Sequence, residues 1–275
     1  MTIPTAFSSA PFHKFLNSFR GRAPGLRSFL KAVQKFVERN TSYFGKILFV
    51  LSFMGAFIGG SVAADGVPSF AFSAGETFRY DIHNLGLKVG EATVVFQGPV
   101  QVDGHKAFLL TVTSQGFRFF DEEKIYVDPA TFLPLRVERY LDVFGRKERI
   151  VEYYDALKGG VRIVKTVKGK TSQQVIGRGK ILDNIYPFVF RYRKSGTFRV
   201  GEKLRIHLPT RDVEFILEKS EPLKVGGKDH TAYYMHSVPK GYRVWFDQSP
   251  HKIPLRLDGA IGFGKTSMVL REYHR

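Results

Sequence analysis

The chain has 275 residues, no cysteine and a net charge of +17. This length allows one large domain or two modest ones, and the absence of cysteine excludes disulfides, thiolate nucleophiles and Cys-ligated metals. The first 64 residues contain eight Lys or Arg and one Glu, hence +7, which leaves +10 for the rest. The positive charge of residues 65–275 either favours binding to anionic partners or forms a basic surface that is merely solvated.

An apolar segment at residues 47–58 separates two different parts of the chain. Its sequence, ILFVLSFMGAFI, carries no charge and is too short to span a bilayer comfortably. Small residues from Gly59 to Ala64 follow it, which is typical of a signal peptide with cleavage near 63–65. We therefore expect export to the periplasm, with residues 1–64 forming a basic tail plus a signal or anchor segment.

The tail before this segment, residues 1–46, is longer than an ordinary signal peptide requires. In one interpretation the true start lies further along the chain. In the other, the tail forms a basic amphipathic helix on the inner membrane, with Arg22, Arg27 and Lys31 among the residues that meet anionic lipid. An uncleaved segment would then anchor the protein to the inner membrane, and both interpretations place the remainder across it.

The remainder, residues 65–275, reads as short strands. Phe78, Tyr80 and Ile82 alternate with polar residues in the period-two pattern of a half-buried strand. Asp103-Gly104 predicts a tight hairpin turn, and the short connections favour antiparallel pairing. The predicted fold class is all-β, a curved sheet, sandwich or partial barrel behind an N-terminal signal or anchor helix.

Two parts of this β-domain are similar to each other, which predicts an internal duplication. YVDPATFLPLRVE at 126–138 matches WFDQSPHKIPLRLD at 245–258, and a Gly-Glu pair begins each unit. The predicted units span about 75–155 and 201–272 and are joined by 159–200. The matched residues are interpreted as structural, since Asp begins turns and Pro suits a strand start. They are Gly75, Glu76, Asp128, Pro134, Arg136, Gly201, Glu202, Trp245, Asp247, Pro254 and Arg256.

At these residues the sequence resembles a bacterial envelope family, domain of unknown function 3108, over roughly residues 70–272. Asp183, Tyr186 and Arg191 add to the match in the middle. The resemblance implies an exported β-protein without an agreed activity. The sequence departs from the family pattern at 184–187, where we expect a helical turn that stops near Pro187. The repeated hairpin is also similar to those of periplasmic lipoprotein carriers, whose curved sheets hold acyl chains.

No signature of catalysis stands out. The sequence has no G-x-S-x-G, H-E-x-x-H or phosphate-loop motif, so we predict no catalytic residues, no metal site and no cofactor. The adjacent carboxylates Asp121, Glu122 and Glu123 precede Lys124 and are interpreted as a solvated turn.

Aromatic residues beside basic ones provide the candidate binding residues. These are Phe117, Arg118, Phe119, Tyr186, Phe188 and Phe190. They predict an apolar groove with basic edges for a lipid or lipoprotein, unless they simply fill the core. The leading hypothesis is therefore non-catalytic binding of an apolar or amphipathic envelope ligand, with no nucleic acid expected. The rivals are an envelope-polymer hydrolase, with two carboxylates in a polar cleft, and an assembly or scaffold protein.

Overall fold

The computed structural model describes residues 72–260 and 266–275. The predicted tail, the apolar segment at 47–58 and the cleavage region at 63–65 lie outside the described residues, so the expectations for them stay predictions. No helix in the part of the chain that the structure describes is long and apolar enough to cross a membrane.

One antiparallel sheet of 14 strands forms the domain, which confirms the predicted all-β class and, among its alternatives, the curved sheet. The first eight strands form a meander: β1 Glu76–Asn84, β2 Leu87–Val102, β3 His105–Gly116, β4 Phe119–Val127, β5 Pro134–Val143, β6 Arg146–Asp155, β7 Gly160–Val167 and β8 Lys170–Gly177. A helix, α1 Ile185–Ser195, follows. The last six strands are β9 Lys203–Leu208, β10 Arg211–Val225, β11 Lys228–Val238, β12 Arg243–Asp247, β13 Pro254–Asp258 and β14 Thr266–His274.

The two strand runs join where the first strand meets the last. β1 pairs with β14, so the order across the sheet is β8 to β1, then β14 to β9. Because consecutive strands are antiparallel, all turns after odd-numbered strands lie at one end of the sheet and all turns after even-numbered strands at the other. We call these the odd-turn end and the even-turn end.

The core lies on the concave face of the sheet, where it meets α1. Alternate residues of β1, Phe78, Tyr80 and Ile82, are buried there, as the period-two pattern predicts. From α1, the Phe188 ring lies 4.5 Å from that of Phe215 and the Phe190 ring 5.3 Å from that of Phe72, measured between centroids. The helix therefore occupies the concavity instead of covering it.

The helix corrects one prediction made from proline. The Asn184 side chain accepts a hydrogen bond from the Tyr186 N–H at 3.0 Å and caps the helix, which continues to Ser195. Pro187 lies in the first turn, where a missing N–H removes no helical hydrogen bond. The expected stop near Pro187 is therefore wrong, because this proline lies near the start of the helix.

A buried ion pair fixes the far end of the helix to the sheet. Arg193 donates to Glu76 with both terminal nitrogens, at 3.0 and 2.8 Å, and both side chains are 0% exposed. The same guanidinium donates to the backbone oxygens of His251 and Lys252. Tyr273 donates its hydroxyl to Glu76 at 2.8 Å. Every charged atom of the pair thus has a partner, as burial requires.

The segment after β8 links the two outer strands without forming a strand itself. Asp212 accepts from Lys180 at 2.8 Å and lies 2.9 Å from Arg178. Further along, the Asp183 N–H donates to the His207 oxygen at 2.7 Å, and the Asp183 carboxylate binds Arg191 of the helix. We call this contact, residues 178–183 against the start of β10 and the end of β9, the seam.

The predicted duplicated units fall on β1–β6 and β9–β14, and their landmarks have matching geometry. The Gly75 and Gly201 backbones have φ values of 89° and 91°. The β4–β5 and β12–β13 hairpins each contain a register shift, after Tyr126 and after Trp245, and Asp128 and Asp247 each accept backbone hydrogen bonds inside their loops. These parallels support the duplication, which stays a prediction. The joining segment 159–200 itself contains β7, β8 and α1.

Candidate functional site

An open groove of about 640 Å³ lies at the odd-turn end, beside the turn between β3 and β4. Its walls come from the start of β2, the end of β3 and the turn that follows, and from the β5–β6 turn. The lining residues are Gly90, Glu91, Gln115, Gly116, Arg118, Phe119, Phe120, Asp142 and Gly145. The groove therefore combines aromatic surface with one cationic side chain.

Two glycines allow the strands at the groove to approach closely. Gly90 of β2 lies opposite Gly116 of β3. A Cβ added at Gly90 would lie 2.3 Å from the Gln115 oxygen, and one added at Gly116 would lie 2.5 Å from the Val89 oxygen. Both contacts are far inside van der Waals distance, so a larger residue at either position would force the strands apart.

Arg118 is the free cation of the groove. Its backbone has a φ of 54°, and its oxygen accepts a hydrogen bond from the Phe144 N–H at 2.8 Å, which holds the turn in place. The guanidinium carbon lies 5.9 Å from the centre of the Phe144 ring. Among the described residues no carboxylate lies within ion-pair distance of Arg118, so its charge is available to an anionic ligand.

The two carboxylates of the groove are already engaged. Glu91 lies 2.8 Å from Lys88 and 2.7 Å from Arg271, and these cations hold the pKa of Glu91 below its usual range. Asp142 accepts a hydrogen bond from the Gly145 N–H at 2.9 Å and stabilises the turn. Both carboxylates are therefore already engaged in contacts within the protein.

The six predicted binding residues occupy two places in the fold. Phe117, Arg118 and Phe119 come together at the β3–β4 turn, with Phe117 51% exposed and Phe119 buried. Tyr186, Phe188 and Phe190 lie on α1 and are buried. The helix residues therefore fill the core in this structure. Their predicted role as ligand contacts stays a prediction that would require α1 to move.

A group of ionisable side chains on the concave face was not foreseen. Asp121 and Glu123 of β4 face Arg139 of β5, at 2.8 Å from the Asp121 Oδ1 to the Arg139 Nε and 3.4 Å from that nitrogen to the Glu123 Oε1. Glu152 of β6 accepts a hydrogen bond from Tyr154 at 2.7 Å. These residues form a polar cluster within an otherwise apolar concavity, which we call the carboxylate cluster.

Two carboxyl groups of the carboxylate cluster have raised pKa values. Burial raises the pKa of Glu123 to about 7, against the opposing charge of Arg139 and with a further increase from Asp121 and Glu152. Burial likewise raises the pKa of Glu152. Three carboxylates near one arginine disfavour simultaneous ionisation. Among all residues that the structure describes, no three ligand side chains are placed so that they could hold a metal ion.

The expectation of a solvated turn at 121–123 is wrong. These residues lie within β4, where the odd-numbered positions Phe119, Asp121, Glu123 and Ile125 share the concave face. Asp121 and Glu123 continue the strand alternation of Phe119 and Ile125, and this alternation was the sequence signal that could have revealed their burial. Local charge obscured it, because acidic runs usually lie on solvated surface.

The family comparison identifies the chain, whereas the structural comparisons show only distant likeness. The family described as "Protein of unknown function (DUF3108)" matches residues 79–271. No curated protein matches the sequence.

Among solved structures, the chain is similar to a β-barrel-like protein of the DUF1849 domain from Brucella abortus, with 10% identity, a TM-score of 0.43, and coverage of 74% of this chain and 96% of that one. It is also similar to the structure of a putative lipoprotein from Parabacteroides distasonis, with 10% identity, a TM-score of 0.24, and coverage of 74% of this chain and 98% of that one. Because the family match covers most of the chain, the protein belongs to the family of proteins of unknown function DUF3108.

Proposed function

We propose that this protein is an exported, non-catalytic binding protein of the cell envelope, and that its ligand is amphipathic with an anionic head. The observation that carries the proposal is the groove beside the β3–β4 turn, where an unpaired arginine adjoins an exposed phenylalanine. Export rests on the sequence of residues 47–58.

The groove has the size and chemistry for such a ligand. Its volume of about 640 Å³ lies within the range of small-molecule sites, roughly 300–1,000 Å³. Arg118 would bind the anionic head through charge-assisted hydrogen bonds, and the rings of Phe117, Phe119 and Phe120 would contact the tail. The open side of the groove leaves room for a chain longer than the groove.

The structure gives less support to the rival hydrolase hypothesis. Such an enzyme requires two free carboxylates facing a common cleft. The carboxylates of the groove, Glu91 and Asp142, are held by cations and by a turn. Glu123 and Glu152 belong to the carboxylate cluster and do not line this groove.

Two measurements test the proposal. Native mass spectrometry of protein purified from its own cells should show a bound lipid or acylated species. Titration with palmitoyl lysophosphatidylglycerol should then show saturable binding that Arg118→Gln weakens about 10- to 100-fold, the usual effect of losing a hydrogen bond to a charged group.

Arg149→Gln is the matched control. Arg149 lies on β6, is exposed and has no carboxylate partner among the described residues, so its replacement removes the same charge away from the groove. Absence of lysolipid binding by the unaltered protein, or equal weakening by both variants, would contradict the proposal.

A further inference from the structure

The turns at the two ends of the sheet differ in charge. The odd-turn end comprises six described turns, at residues 84–87, 116–119, 143–146, 167–170, 208–211 and 238–243. These ranges contain seven cationic residues and no Asp or Glu. The cations are Arg118, Arg146, Lys168, Lys170, Arg211, Lys240 and Arg243.

Most of these cations have no carboxylate partner. Arg146 and Arg243 form ion pairs with carboxylates on the strands. The other five have no carboxylate within ion-pair distance in the described parts of the chain, although Arg118 and Arg211 lie over the rings of Phe144 and Tyr242. Most of the positive charge of these turns is therefore not neutralised by a carboxylate.

Large apolar side chains are exposed among these cations. Leu85 is 61% exposed, Phe117 51%, Val238 48% and Leu87 44%, and all four lie in turns at the odd-turn end. They occupy the tips, where a soluble protein ordinarily has polar residues.

The backbone conformation of two of these turns is unfavourable for the apolar or basic residue found there. Leu85 and Lys168 have φ values of 51° and 50°, each followed by a glycine that also has positive φ. Asn, Asp and Gly are the residues that such two-residue turns favour. At the even-turn end the corresponding position is filled by Asp103, with a φ of 50°. The odd-turn end therefore uses leucine and lysine where turn formation alone would select Asn or Asp.

The even-turn end provides an internal comparison. Its hairpin turns, at 102–105, 127–134, 155–160, 225–228 and 247–254, contain four Asp and three Lys, so their formal charge is −1. Three of these Asp residues are used by their own turns, as when Asp155 accepts from the Leu157 and Lys158 N–H groups at 3.1 and 2.9 Å. Among the hairpin turns, the excess of positive charge is therefore found at the odd-turn end.

We infer that the odd-turn end docks on the surface of an anionic phospholipid bilayer. Lysine and arginine near such a surface each strengthen binding, and apolar tips gain free energy by entering the headgroup region. An acidic polysaccharide would satisfy the cations but would leave Leu85, Leu87 and Phe117 in water. The combination of both features at one end favours the bilayer.

This inference extends the proposed function and can fail separately from it. The groove with Arg118 opens at the same end, so docking would place it against the lipid from which an amphipathic ligand comes. Docking depends on the whole set of turns, and its test therefore leaves Arg118 unchanged.

The test uses the full-length protein and its lack of cysteine. A single cysteine is introduced by Leu87→Cys at the odd-turn end or by Leu157→Cys at the even-turn end, where Leu157 is 99% exposed. Each is labelled with a nitrobenzoxadiazole dye, whose fluorescence increases in a membrane. Vesicles contain either phosphatidylcholine alone or phosphatidylcholine with about 30% phosphatidylglycerol, which gives the surface a negative potential.

The expected result is an increase in fluorescence from the Leu87→Cys label with the anionic vesicles only, and none from the Leu157→Cys label. Because this readout is specific to a site, an anchor elsewhere in the chain cannot reproduce it. The double variant Lys168→Gln, Lys170→Gln should reduce the apparent affinity about 25-fold, from about fivefold per lysine. The matched variant Lys106→Gln, Lys158→Gln removes two lysines of the even-turn end and should change the affinity less than twofold.

Three outcomes would overturn the inference. The first is an equal signal from both labels, and the second is an equal loss from both double variants. The third is binding to alginate, a soluble acidic polysaccharide, without any response of the Leu87→Cys label to anionic vesicles, which would assign the cations to a polysaccharide.

Discussion

The ion pair between Glu76 and Arg193 should be the most sensitive polar contact of the fold. Arg193→Met leaves the Glu76 carboxylate buried, with only the Tyr273 hydroxyl as a described hydrogen-bond partner, and it removes the donors that reach the His251 and Lys252 oxygens. Removing one partner of a buried pair costs about 3–5 kcal/mol. Since a domain is stabilised by only about 5–15 kcal/mol, this loss is a large part of the total.

An exposed pair on the same strand provides the control. Arg79 of β1 lies 3.0 Å from Glu272 of β14, and both side chains are nearly half exposed. Arg79→Met should reduce the free energy of unfolding by less than about 1 kcal/mol, because solvent screens such pairs. The two variants thus remove the same functional group from pairs that differ in burial.

Urea unfolding, followed by circular dichroism and by the fluorescence of the single tryptophan, measures both variants. The double variant Glu76→Met, Arg193→Met should lose less than the sum of the two single losses, by about 2 kcal/mol or more, because the second substitution removes an already unpaired charge. An Arg193→Met variant as stable as Arg79→Met, or strictly additive losses, would refute the reasoning.

Two further predictions concern protonation and the seam. Burial raises the pKa of Glu123 to about 7, so the contribution of Glu123 to stability is full below its unfolded pKa and is lost as the pH rises through 7. Urea unfolding should show stability declining by roughly 3 kcal/mol between pH 4 and pH 8. Glu123→Gln should remove most of that decline, and an unchanged pH profile in this variant would contradict the prediction. At the seam, Asp212→Asn removes the negative charge that pairs with Lys180 and Arg178, so limited trypsin digestion should cleave beside Lys180 faster than in Glu214→Gln. Equal rates would show that these ion pairs do not hold residues 178–183 against the sheet.

Much of the strand pattern could be predicted because its cause is local. The alternation of Phe78, Tyr80 and Ile82 with polar neighbours results from one buried and one outer face, and β1 has that burial pattern. The Asp103-Gly104 turn likewise has the positive φ values, 50° and 79°, that its residues favour. These features depend on neighbours within a few residues, so the sequence contains their full cause.

Features that depend on distant residues could not be predicted in this way. No local pattern reveals that β1 pairs with β14, or that α1 fills the concavity. Pro187 was misinterpreted because a proline can begin a helix as readily as end one. Asp121 and Glu123 were misinterpreted because the charged run outweighed the alternation that they share with Phe119 and Ile125, and because their partner Arg139 lies on another strand.

For the candidate site, the sequence indicated which types of side chain take part better than it indicated which of them lie together in the fold. Arg118 and Phe119 do line one open groove, because both belong to the β3–β4 turn, where Phe117 is exposed beside them. Phe188 and Phe190 were grouped with them by composition alone, although α1 is buried on all sides and both rings lie in the core. Composition identifies side chains suited to a ligand, but only packing decides which of them remain accessible.

The pairing of β1 with β14 also determines which strand edges are protected. β14 joins the two halves of the sheet, so a chain in which β14 has not yet paired has β1 and β13 as unprotected edges. β1 and β14 lie far apart in the sequence, and contacts between distant residues form slowly. Loss of residues 266–275 would therefore leave a chain prone to edge-to-edge aggregation.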